Sequence, residues 1–209
     1  MKVLHDPPHL RYYRLLERDL EECFRYVEPC SDHFSVYSDE FARIILMAAA
    51  GVENALKGFA FWARVRDPAT PTDVSNITKL YRVVTHKFPR FCAMRLVMHR
   101  YSILIEPWKD WSATSAPDWW SNGYNKIKHD RENHPGAPTL QRAINAVGAL
   151  QVVLLHYYRL DSPNAAIADR GIPELLLPWK EDHPAGQAST LWLWELPDDM
   201  PEPAPGVGG

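Results

Sequence analysis

Apolar side chains recur along much of this chain at intervals of three and four residues, the spacing at which one face of an α-helix repeats. The pattern sets in after Asp6-Pro7-Pro8, where an acidic cap and a proline in the first turn start a helix carrying Tyr13, Leu16, Leu20, Phe24 and Val27 on its core side. Ser38, with Asp39 and Glu40 behind it, opens a longer helix lined by Phe41, Ile45, Ala48, Val52, Ala55 and Phe59. On that helix Glu53 and Lys57 stand four apart with the acid first, the arrangement of an exposed ion pair; lining a site is the rarer use of such a pair. Beyond the break Asp67-Pro68-Ala69-Thr70-Pro71, Ile77, Leu80, Tyr81 and Val84 mark a third, shorter helix that must end before Pro89.

The period then changes. Tyr101, Ile103 and Ile105 alternate with Ser102, Leu104 and Glu106, which predicts a strand within an extended insertion over residues 91–114. Ser115-Ala116-Pro117-Asp118 has the form of a capping box and predicts a helix with Trp120, Tyr124 and Ile127 as its apolar stripe, running to about Pro135-Gly136. Pro138-Thr139 starts a last long helix through Leu140, Ile144, Val147, Leu150 and Leu154, ending at His156-Tyr157-Tyr158-Arg159. Beyond it the composition turns proline-rich. Leu191-Trp192-Leu193-Trp194 reads as a strand that could pair with Leu175-Leu176-Leu177, and residues 201–209 read as a disordered tail. The expected organisation is a mainly α bundle of four to five helices over residues 1–160, an extension with a β-hairpin over 161–200, and the tail.

Composition narrows the field. The chain has 209 residues, 46% of them hydrophobic, enough for one core. With 23 Lys and Arg against 26 Asp and Glu it has no global basic field to draw it onto nucleic acid, so any such contact is local. Cys23, Cys30 and Cys92 form no CxxC pair, which fits a reducing cytoplasm. The first eight residues lack a signal-peptide core and the apolar run 44–52 is short for a bilayer, so no membrane partner is expected. GxSxG, Walker and GxGxxG patterns are missing, so serine hydrolase, P-loop and dinucleotide chemistries have no motif.

Candidate chemistry concentrates in Tyr124-Asn125-Lys126-Ile127-Lys128-His129-Asp130-Arg131. On a helix Asn125 and His129 share a face, flanked by Lys126, Lys128 and Arg131. Imidazole is the side chain whose ordinary pKa permits proton exchange near neutral pH, and the cations suit a phosphate. Tyr124, Asp130 and Glu53 are supporting candidates. The bland alternative is a solvated face. Metal sites at His5 and His9, or at His129, Asp130 and His134, are disfavoured by intervening prolines and by neighbouring cations respectively, so neither a metal nor a cofactor is expected. Trp108, Trp111, Trp119 and Trp120 are expected in the core or as a lid, more than as a base-stacking platform.

The polar motif Asn125-x-x-x-His129, placed just before a final long helix, resembles that of the HEPN superfamily (higher eukaryotes and prokaryotes nucleotide-binding), and the wider Trp-Trp-x-x-x-Tyr-Asn-x-x-Lys-His-Asp-Arg is similar to bacterial HEPN-like proteins. The resemblance spans roughly residues 8–160. It implies a helical bundle, often a homodimer with a composite site, and metal-independent endoribonuclease activity in toxin–antitoxin or antiphage systems, with an antitoxin or other protein as partner. It also implies that His129 moves protons during attack of a ribose 2′-hydroxyl while an arginine supports charge on the phosphate. That arginine falls on Tyr124 here, so the charge passes to Lys126, Lys128 or Arg131. The competing expectations are a non-catalytic interaction or regulatory module and a nucleotide-binding sensor.

Overall fold

The computed structural model of the chain describes residues 8–161 and 175–179. Their order is α1 (Pro8–Cys23), α2 (Asp39–Arg66), α3 (Ile77–Lys87), β1 (Arg95–Met98), β2 (Ile103–Ile105), a π-helical turn (Trp119–Tyr124), α4 (Asn125–His129), α5 (Leu140–Asp161) and β3 (Leu177–Trp179). The protein is mainly α, with one small sheet among the described residues.

Helix starts follow the side chains that satisfy the first free amides. Ser38 Oγ accepts the Phe41 N–H at 3.1 Å, as its sequence predicts, and Asn76 Oδ1 accepts the Lys79 N–H at 3.0 Å. Thr139 Oγ1 accepts from the Arg142 N–H at 3.3 Å at the head of α5. The first helix is shorter than its apolar stripe: after Cys23 the chain tightens, with Phe24 and Arg25 donating to the carbonyls three residues back, yet Phe24 stays buried. The cap expected at Asp6-Pro7 lies outside the described residues.

The core is the contact of α2 with α5, flanked by α1 on one side and α3 on another. Every position expected to face inward from α2 is buried, and so are Leu140, Ile144, Val147, Leu150 and Leu154 of α5. Many contact residues are small, among them Ala48, Ala49 and Ala55 on α2 and Ala143, Ala146 and Ala149 on α5. Small side chains interleave with large ones on both helices, and Gly51 of α2 receives the Leu150 side chain of α5, so the two long helices share a continuous packed face. By length and composition α2 could cross a bilayer, which the run 44–52 alone did not suggest; much of its most apolar stretch is buried here within the protein.

The sheet has the order β2-β1-β3, antiparallel throughout, with Leu96 opposite Ile105 and Arg95 opposite Trp179. The predicted strand is real but starts later, because residues 99–101 form a 3-10 turn and Ser102 takes a left-handed conformation at φ 54° that closes the hairpin. β1 has no alternation to betray it. It is the central strand, and its Leu96, Val97 and Met98 are all buried. The sheet lies on α5 at Gly148, where a Cβ would meet Ile105 Cδ1 at 2.7 Å and Leu96 Cδ1 at 3.2 Å, so a larger residue would push the sheet off the helix. Leu177 pairs with β1; Leu191-Trp192-Leu193-Trp194, the strand partner expected for it, lies outside the described residues, as does the tail.

The tryptophans are core, not a stacking platform. Trp108, Trp111 and Trp119 are nearly inaccessible, and each indole N–H donates to a backbone carbonyl: Ala149 at 3.2 Å, Ile77 at 3.1 Å and Pro107 at 2.9 Å. Each ring thus buries a large apolar surface while its one donor is satisfied, joining the irregular insertion to α5 and α3.

A buried carboxylate holds the last described segment. Glu17 Oε1 accepts the Tyr13 hydroxyl at 2.8 Å and the N–H groups of Leu175 and Leu176 at 2.9 and 3.1 Å, while Gln151 Nε2 donates to the Leu176 carbonyl at 2.7 Å. Desolvation first, then the Glu17 charge, pushes the Tyr13 hydroxyl well above its ordinary pKa. Glu17 sits on the inner face of α1, where the apolar spacing asks for a hydrophobe; its partners explain why an acid is tolerated there. Glu17→Ala should lower the unfolding free energy by about 3 kcal/mol by stranding these donors, and amide exchange at Leu175 and Leu176 should accelerate. Glu17→Gln, which keeps the acceptor, should cost less. Unaltered exchange at those two amides in the alanine variant would show that the carboxylate does not anchor the segment.

Candidate functional site

Trp119 and Trp120 are neighbours and both are buried, which one narrow stripe of an α-helix cannot easily provide. The chain answers with a π-helical turn, in which the Asn125 N–H reaches back five residues to the Trp120 carbonyl. Such wide turns are frequent at functional sites. Gly123 lets this turn run close over α5, since a Cβ there would stand 3.3 Å from Arg142 Cδ.

The capping box does not form. Ser115 Oγ donates to the Asp110 carbonyl instead, and Asp118 accepts from Asn122 Nδ2 at 2.6 Å and from Arg142 Nε at 2.8 Å. Arg142 also donates to the Ala137 carbonyl at 2.9 Å, so one guanidinium ties the start of the π turn to the approach to α5. Burial raises the Asp118 pKa, but the hydrogen bonds from Arg142 and Asn122 outweigh it and hold the carboxyl below its usual range. The helix also ends earlier than its spacing suggests, at His129 rather than near Pro135. Asp130 leaves helical geometry there, with Oδ1 accepting from Asn133 at 2.6 Å and Oδ2 facing His134 Nε2 at 3.4 Å, so Asp130 shapes the following loop.

Trp120, Tyr124 and Ile127 are buried as expected, and Asn125 and His129 fall beside that stripe, the first half-buried and the second exposed. Neither has a side-chain hydrogen bond or ion pair among the described residues. The flanking cations, by contrast, are engaged. Lys128 Nζ donates to Tyr124 Oη at 3.0 Å and stands 5.2 Å from that ring's centroid; the hydrogen bond to Tyr124 is the first cause of its raised pKa, and Glu53 of α2 adds to it. Glu53 also takes the predicted ion pair with Lys57 at 2.7 Å, so it is an exposed helix pair and a neighbour of the site at once. Lys126 is near enough to Asp118 to lower its pKa. Arg131 Nη2 donates to Asp39 at the head of α2 at 2.5 Å, while its Nη1 is buried with no partner among the described residues.

The sequence reading missed Asp118, Arg142 and Asp39 as members of this neighbourhood. No local signal could have found them, because Arg142 meets Asp118 across 24 positions and Arg131 meets Asp39 across 92. Among the described residues no group of three His, Cys, Asp or Glu could hold a metal; His9 instead packs edge-on to Tyr157, and His5 lies outside them. Cys23, Cys30 and Cys92 are free thiols.

Asp118→Asn should weaken the clamp on the π turn by about 1 kcal/mol at neutral pH. Because the folded-state pKa of Asp118 is lowered, that contribution is present above the ordinary carboxylate pKa of about 4 and is lost as pH falls through the folded value. Urea midpoints of the two proteins should therefore differ at pH 7 and converge below about pH 3; an equal gap at both would remove the ion pair as its cause. No family model, curated protein or solved structure matches this chain, so the mainly α class is read from its own geometry.

Proposed function

We propose that this chain is a HEPN-like RNA-binding protein and a metal-independent endoribonuclease, acting as a homodimeric effector in a bacterial toxin–antitoxin or antiphage system in the cytoplasm. The observation that carries this reading is the Lys128 ammonium 3.0 Å from Tyr124 Oη. The family places an arginine at position 124, and here a cation from the next turn stands beside the tyrosine that replaces it. Asn125 and His129, a turn apart and uncommitted among the described residues, supply the remaining polar groups.

In this reading the neutral His129 imidazole takes the proton of the ribose 2′-hydroxyl as its oxygen attacks phosphorus. The bond to the 5′-oxygen breaks, and that oxygen leaves with a proton donated by the second copy's histidine. The products are a 2′,3′-cyclic phosphate and a 5′-hydroxyl. Lys128 and Lys126 support charge on the phosphate and Asn125 positions it, while Arg131, held by Asp39, fixes the end of the helix beside them. A second reading, a non-catalytic interaction module, is favoured by a different observation: Arg131 is paired with Asp39 and Lys128 is bound to Tyr124, so two of the three cations are engaged within the protein before any ligand arrives.

Incubation with single-stranded and transfer RNA in chelator separates the two. The nuclease reading expects new ends bearing cyclic phosphate, reduced on the order of 10²-fold or more in His129→Ala, and binding that weakens steeply with salt. Intact RNA together with salt-independent binding would sink it and leave the interaction module.

A further inference from the structure

Tyr124 occupies the position at which the HEPN resemblance places an arginine. Its side chain is only 8% exposed, its ring packs on Trp120 at 4.7 Å between centroids, and the Lys128 ammonium lies 5.2 Å from the ring centroid. Packing of this kind holds the phenol oxygen in one place. A phenol is both an acceptor and a donor, and a buried one ordinarily uses its donor. Tyr12 and Tyr13 follow that rule, donating to the Met47 carbonyl and to Glu17, both at 2.8 Å. Tyr124 does not. Its Oη accepts from Lys128 Nζ at 3.0 Å, and its O–H has no acceptor among the described residues.

Two donors therefore leave from neighbouring atoms. The phenol offers one O–H, and the ammonium has three N–H groups, of which one is spent on Oη. With these heavy atoms 3.0 Å apart, the O–H can reach one non-bridging oxygen of a phosphate while an N–H reaches the other. This is the two-point grip that an arginine supplies with the fork of its guanidinium. Here the charge comes from Lys128 and the second donor from Tyr124. Glu53 of α2, the acid whose charge acts on Lys128, is itself paired with Lys57 at 2.7 Å. Tyr124 and Lys128 form one four-residue pair along the helix, and Asn125 and His129 form the next. The two pairs run side by side, so a phosphate held by the first lies next to the second. We infer that Tyr124 is itself a phosphate-binding residue, its hydroxyl donating to one oxygen of an RNA phosphodiester while Lys128 holds another. The inference rests on the RNA-binding reading of this helix and adds to it the donor that the absent arginine would provide.

A single-stranded 2′-O-methyl RNA has no free 2′-hydroxyl to attack phosphorus, so it reads binding apart from cleavage. Its affinity for the full chain is measured by fluorescence anisotropy over a series of salt concentrations. Tyr124→Phe keeps the ring and should weaken binding about tenfold, the loss of one hydrogen bond to a charged group. It should leave the slope of log affinity against log salt unchanged, because a neutral donor displaces no counter-ion. Lys128→Met should weaken binding and also make that slope shallower by about 0.7. Equal affinity in Tyr124→Phe and the parent chain would overturn the inference. So would a shallower slope in Tyr124→Phe, which would mean that the hydroxyl acts only by placing the ammonium, and so would a parent chain that does not bind. Ordinary single-stranded RNA then separates this inference from the nuclease reading. Cleavage lost in His129→Ala but intact in Tyr124→Phe, with unchanged affinity, rejects the inference and keeps the nuclease. Binding that depends on the Tyr124 hydroxyl, with RNA left whole, keeps the inference and rejects the nuclease.

Discussion

The packing of α2 against α5 is the constraint on which the other elements depend. Alanines and larger apolar residues alternate along the buried faces of both helices, so the two pack against each other over much of their length. α1 and α3 pack against α2, the sheet rests on α5 at Gly148, and the π turn is held between the two helices by contacts to both. Adding volume at one of these contacts would propagate, because a close-packed interior accommodates few methylenes without displacement.

Polar groups then decide how the irregular parts attach. Three indole N–H groups satisfied by backbone carbonyls fix the insertion, one buried carboxylate receives two amides from the last described segment, and one guanidinium joins the π turn to the approach to α5. The indole and carboxylate bonds pair donors and acceptors that would be costly to bury alone, and the guanidinium joins two separate turns, so the pairing selects one arrangement of loops from many. Burial supplies the driving force, and these few bonds supply the specificity.

The candidate site inherits its character from both. Tyr124 packs against Trp120 at 4.7 Å between ring centroids, which fixes its hydroxyl and thereby the ammonium of Lys128. The acids that face the other cations come from α2 and from the start of the π turn, elements that reach this place only because α2 and α5 are packed as they are. On this face Arg131 is paired with Asp39 and Lys128 is bound to Tyr124, and among the described residues Asn125 and His129 are left as its uncommitted groups.

The sequence by itself determined the helices whose apolar period is long and clean. α2, α3 and α5 begin and end close to where caps, prolines and spacing place them, because these signals act over a few residues. It also located the polar helix face of Asn125 and His129 beside the stripe of Trp120, Tyr124 and Ile127. What only the tertiary structure decided are features whose cause lies far along the chain. β1 is hidden by its own burial, since a strand covered on both faces shows no alternation. Ser115 gives its hydroxyl to the Asp110 carbonyl instead of capping, and Asp118 is taken by Arg142. Glu17, an acid at a core-facing position of α1, is tolerated there because two amides more than 150 residues away supply its hydrogen bonds. Local propensity is set by a residue's neighbours in sequence, whereas the pairing of buried polar groups is set by which surfaces meet, and that information exists only once the helices have packed.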